Sequence, residues 1–159
     1  MDKNQLVLYE DYLRMIRELA DTAHTIAKIQ EEKAVAAAQR RHELLDSYMK
    51  KEQSCILKLR GLDQHRERLA KSLGWDRLNF SQILEKVEPA RRENLKGLFG
   101  NLEQELRFLL QSREVAGRIM DIRVYECLIT VRQRPGVLYD RGRKMEQEGF
   151  HTNLCDRYG

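Results

Sequence analysis

The chain has 159 residues, 34% of them charged and 42% hydrophobic, with only two prolines and a formal net charge of +4. That length suits one domain with one core, and that balance is the one amphipathic helices need, not a disordered tail. No apolar run of about 18 residues is present to span a membrane, and the opening MDKNQLVLYED mixes charges where a secretory signal would be basic then apolar, so a cytoplasmic protein is expected.

Periodicity predicts a first helix from about Asn4 to the mid-thirties. Leu6, Tyr9, Leu13, Ile16, Ala20, Ala23 and Ala27 form one seam, and Leu8, Tyr12, Met15, Leu19, Ile26 and Ile29 form a second beside it. Two adjacent stripes ask for two neighbours, so the helix belongs in a bundle and not in a two-stranded coiled coil. The next stretch, KAVAAAQRRHELLD, holds no Gly or Pro, yet a helix from Asn4 to Leu73 would exceed roughly 100 Å at 1.5 Å per residue. The apolar stripes lose phase near Arg40 and Arg41, which puts a turn between about Ala36 and His42; the alternative is a long helix that completes its bundle with a second chain.

The second helix is densest in KKEQSCILKLRGLDQHRERLAKSLGW, Lys50 to Trp75. Cys55, Leu57, Leu59, Leu62, Leu69 and Leu73 make its buried side. Gly74 supplies a left-handed C′ residue, and Trp75 is placed to fold back on Ala70 and Leu69. Gly61, inside the helix, costs about 1 kcal/mol against Ala, a cost that the close approach of a neighbouring helix would offset. In LNFSQILEKVEP, Asn79 is an N-cap with Gln82 closing a capping box and Leu78 stapled to Ile83, so a short helix follows. Pro89 suits the first turn of a last long helix.

That last helix is expected from about Pro89 to Arg132, with Leu95, Phe99, Leu102, Leu106, Leu109, Ala116 and Met120 as inner seam and Leu98, Leu110, Ile119, Ile122 and Ile129 broadening it. Gly97, Gly100 and Gly117 read as packing notches, the first two also as a close crossing or a bend. Toward its end Arg113, Arg118 and Arg123 alternate with Ala116, Ile119 and Met120, a strip of small and flexible apolar groups with basic rims that suits an adaptable helix-binding groove. After Arg134, Pro135 and Gly136 no clean period remains, although Leu138, Tyr139, Met145 and Phe150 are apolar; this tail docks on the bundle or waits for a partner. The division is a helical domain over 1–133 and a tail over 134–159.

Chemistry finds little to work with. Cys55, Cys127 and Cys155 are odd in number and widely spaced, which argues against a disulfide framework and a zinc site, and Cys55 falls on an apolar stripe. His24, His42, His65 and His151 are isolated, and Glu52 and Asp63 read as solvated partners of Lys58, Arg60 or Arg66. No Gly-rich phosphate loop or GxSxG occurs, so neither an enzyme nor a cofactor or metal is expected. Basic and acidic residues are interleaved, except at Arg132, Arg134, Arg141, Arg143 and Lys144, which favour an acidic partner surface or a solubilising tail; nucleic acid is not an expected partner.

The run KxEQxxILxLRGLDxxRE, followed by Leu-Gly, then LNFSQILEKV and a long final helix, resembles the FlgN family of flagellar export chaperones over roughly the first four fifths of the chain. The resemblance implies an all-α antiparallel bundle that holds hook–filament junction (hook-associated) proteins in the cytoplasm and delivers them to the flagellar export apparatus. It implies helix-against-helix engagement by the C-terminal portion, which falls here on Ala116, Ile119, Met120 and Arg123, with Arg113, Leu138 and Tyr139 beside them. Where the family often carries an Asn-rich segment, this chain reads QSREVAGR. Two other classes stay open: a coiled-coil scaffold that self-associates through the first helix, and a basic regulator that touches nucleic acid through the Arg-rich tail.

Overall fold

The computed structural model describes residues 1–116, with side-chain environments through Ser112. Helix α1 spans Lys3–Ala38, α2 His42–Ser72, α3 Phe80–Lys86, and α4 Pro89–Ala116; among the described residues there is no strand, and the protein is all-α.

Local chemistry fixes each boundary. Asp2 caps α1, its carboxylate accepting from the Gln5 N–H at 2.8 Å while the Gln5 side chain accepts from the Asp2 N–H at 3.4 Å. At the other end of α1 the Arg41 N–H donates to Ala36 O at 2.9 Å and the Arg40 N–H to Ala37 O at 3.1 Å. That pair of bonds is the Schellman stop, with Arg40 at φ 56° in the left-handed position that glycine usually takes. The turn therefore falls inside the Ala36–His42 window.

α2 ends on the same two bonds: Trp75 N–H to Ala70 O at 2.8 Å and Gly74 N–H to Lys71 O at 3.0 Å, with Gly74 at φ +79°. α3 begins on the Asn79–Gln82 capping box, at 2.9 and 3.0 Å. Arg92 of α4 reaches back to donate from Nε to Leu84 O at 2.9 Å, satisfying a carbonyl that the short helix leaves open. Pro89 takes the first position of α4.

The direction of each helix follows from contacts across the bundle. Gln30 and Lys33 meet Glu52, and Tyr9 and Tyr12 meet Trp75, so α2 runs antiparallel to α1. Tyr12 meets Phe99 and His24 meets Glu105, so α4 runs up again beside α1. The α1 backbone approaches both α2 and α4 closely, whereas those two do not come as near to each other. α1 is the central element, and its two stripes have the two neighbours they called for: Tyr9, Tyr12, Leu13, Ile16, Leu19, Ala23 and Ile26 are all buried. Leu59, Leu69 and Ala70 of α2 close the core from one side, and Leu95, Phe99, Leu102, Leu106 and Leu109 of α4 from the other. At the base Trp75 sets its edge against Tyr12 at 5.2 Å, and Phe80 stacks on Phe99 at 3.7 Å, which pins the α2–α3 connection to both long neighbours.

Several expectations are corrected. Leu57 is 66% exposed, because a residue two positions from buried Leu59 points some 200° away on a helix, and Leu6 at the start of its seam is exposed too. Gly61, Gly97 and Gly100 face open space, with nothing within 4 Å of a Cβ placed on any of them, so none is a packing notch and none admits a close crossing. Gly117 and the expected reach of the last helix to Arg132 lie outside the described residues, as does the 133/134 boundary.

Candidate partner-binding surface

Three charged side chains sit where the apolar stripes run. Lys33 follows Ile29 by one turn of α1, Glu52 precedes Leu59 by two turns of α2, and Arg66 follows it by two. Each is therefore carried inward. Lys33, only 3% exposed, pairs with Glu52, and Gln30 Nε2 donates to the same carboxylate at 2.7 Å. Glu52 thus serves the α1–α2 interface; it is not the solvated partner of Lys58, Arg60 or Arg66 that its own helix suggested. The Asp63–Arg66 pair forms as expected, at 2.8 Å, but Arg66 is buried.

Arg66 lies beside Tyr12. Burial pushes the Tyr12 hydroxyl up to about 12, and the charge and hydrogen bond of Arg66 offset part of that rise. Tyr9 is raised as well, by burial first, against the Arg91 guanidinium, which lies over its ring at 5.2 Å. These groups hold the interior together and face no cleft. Cys55 is half-buried, packed against the core at the edge of the α2 stripe. Among the described residues no group of three or more His, Cys, Asp and Glu is placed to hold a metal ion, and no helix is long and apolar enough to cross a membrane.

The far end of the bundle is different in character. From His42 to Lys58 no residue of α2 is buried, and Leu44 (38%) and Met49 (39%) stand exposed opposite Val35 of α1 (54%). α4 arrives at this end beside α1. Its seam stays buried through Leu109 and Ser112, and its backbone carries Arg113 and Ala116 along the same line to the last described turn. Ala116 follows Glu105 by eleven residues, as Val35 follows His24, and Glu105 and His24 meet at 2.9 Å; helices of equal rise bring Ala116 level with Val35 to within about one turn. Of the residues expected to engage a partner, Arg113 and Ala116 are thus at the tip of the α1–α2 hairpin, while Ile119, Met120, Arg123, Leu138 and Tyr139 lie outside the described residues. Sequence reading found α4's end but missed the apolar hairpin tip beside it. Its signal was the shift of phase at Val35 and Leu44, which was used only to place the turn.

Fold and surface together define an all-α bundle with a charged flank, a sealed aromatic base and an apolar tip. Compared with family models, with curated proteins and with solved structures, the chain matches none.

Proposed function

We propose that the protein is a cytoplasmic flagellar export chaperone that binds hook-associated proteins through the end of its last long helix and the tail beyond. The observation that carries the reading is the line of the α4 seam. It is fully used inside the bundle up to Leu109, and in sequence it goes on with Ala116 and Met120 at the level where the α1–α2 hairpin turns back. Apolar positions that outlast their own bundle suit the face of a client helix, with Arg113 and Arg123 as basic rims. The LRGLD run of α2 supports the same family. The self-associating alternative draws on stripes of α1 that face α2 and α4 within one chain, so it has less surface to use.

Calorimetric titration with the terminal helices of hook-associated proteins tests the reading. Ile119→Asp and Met120→Arg are expected to weaken binding at least tenfold, about 1.4 kcal/mol, while Lys28→Ala, an exposed residue on the flank, leaves it unchanged. A chain ending at Val131 should keep its helical content and change affinity. If that chain and the Ile119→Asp protein both bind as tightly as the parent, the client does not sit at this end and the assignment fails.

A further inference from the structure

The tip of the α1–α2 hairpin holds the chain's most exposed apolar groups beside the point where α4 is last described. Val35 lies three turns above His24 and so on the same side of α1, and His24 bonds Glu105 of α4. Val35 therefore faces the line along which α4 advances. On α2, Tyr48, Cys55, Leu62 and Leu69 follow one another at seven residues, a single stripe that is buried at Leu69, packed on the core at Leu62 and Cys55, half-buried at Tyr48 and, one turn further out, 38% exposed at Leu44. The stripe does not change direction along this length. It loses its cover where the described part of α4 stops.

The levels match as well. Gln30 and Lys33 face Glu52, which puts Leu44, eight residues before Glu52, about eight beyond that level on α1, beside the turn. Met120 is one turn past Ala116 and keeps the seam that runs through Leu106 and Leu109; the same count brings it to the level of Leu44. Forty-three residues of chain follow Ala116, and Ile119 and Met120 stand in its first turn.

From this placement we infer that Val35, Tyr48 and Leu44 form the seat of the chain's own next turn, Ile119 and Met120, which closes the open end of the bundle. The occupant is in reach without any change in the course of α4, and its thioether and branched side chains fit an uneven apolar surface. The consequence rests on the chaperone reading: the turn assigned to the client is covered in the free protein, and a client helix must displace it from the hairpin.

Two measurements on the full-length chain test the seat without any client. In a protein with Cys55, Cys127 and Cys155 replaced by serine, Leu44→Cys and Met120→Cys are joined with a short bis-maleimide; a link within one chain, resolved by mass, is expected. Val35→Asp and Met120→Asp are then compared singly and together by urea unfolding. Each single change should lower the folding equilibrium constant about tenfold, about 1.4 kcal/mol, and the second should add little once the first is present. Links that form only between chains would give the seat to a second copy and overturn the inference, and so would the absence of any link with fully additive substitutions. Client titration of Val35→Asp then reads the consequence separately: tighter binding is expected because the cover is gone, and unchanged binding with the seat established would remove the chaperone's use of it while leaving the contact in place.

Discussion

Replacing Glu52 by Ala would leave the Lys33 ammonium, 3% exposed, between two helices with no carboxylate beside it. Two unit charges about 3 Å apart attract by about 5 kcal/mol at an effective dielectric of 20, and the desolvation of a lysine consumes most of that. The pair is therefore worth little net, whereas one buried partner left alone costs about 3 to 5 kcal/mol. The reverse change is milder. Lys33→Met leaves a carboxylate that is 14% exposed and still accepts from Gln30 at 2.7 Å, so water and an amide remain to it. Urea unfolding followed by far-UV circular dichroism should rank Glu52→Ala as the larger loss, Lys33→Met as the smaller, and the double replacement Lys33→Met with Glu52→Leu near the parent or above it. Because the pair is sheltered, the ranking should persist at about 1 M salt, where exposed pairs are screened. The pair also explains how an alanine-rich stretch keeps its register: a slip of one heptad would set Lys33 against Leu45 or Leu59. A cost below about 1 kcal/mol for Glu52→Ala, or one that disappears in salt, would refute this account.

Two further sets of outcomes follow from the interior and the backbone. Tyr12 is fully buried and its hydroxyl raised to about 12 from 10.0, so the folded state holds the proton more tightly than the unfolded one; that stability is present below pH 10 and is lost as pH rises through about 12, by at most about 3 kcal/mol. Unfolding midpoints taken from pH 8 upward should fall more gently in Tyr12→Phe than in the parent, and equal slopes would count against the buried hydroxyl. Ala at Gly97 and at Gly100 meets nothing within 4 Å and should stabilise α4 by about 0.5 to 1 kcal/mol each, while Ala at Gly74, at φ +79°, should cost about 1 kcal/mol or more. Arg40→Gly should gain a similar amount by relieving the left-handed arginine in the α1–α2 turn, and thermal melts of these variants check every sign.

How far the fold was legible depended on whether a residue announced its role alone or through a neighbour. Asn79 with Gln82, Gly74 before Trp75 and Pro89 are local signals, each resting on a hydrogen bond made or declined within four residues, and all are where their chemistry puts them. Arg40 performs the same task as Gly74 with the same two bonds, but an arginine at C′ carries no mark of it, so only the loss of phase located the turn. Lys33 and Glu52 looked solvated for a related reason. A charge on an apolar stripe is a contradiction when one helix is read by itself, and it resolves only when the facing stripe is found to carry the opposite charge at the matching level. The glycines show the converse error: Gly61, Gly97 and Gly100 seemed to require a neighbour because helix propensity penalises them, yet propensity says only what glycine costs and nothing about what approaches it. The end of α4 falls under the same rule. Its seam positions are legible in sequence as far as Met120, but what they meet is decided by Val35 and Leu44, residues some eighty positions earlier that come level with them only after α1 and α2 have folded back on each other. A surface that exists only as the meeting of two stripes must therefore be sought in the pairing of levels, and the exposed hairpin tip is where that pairing is still open among the described residues.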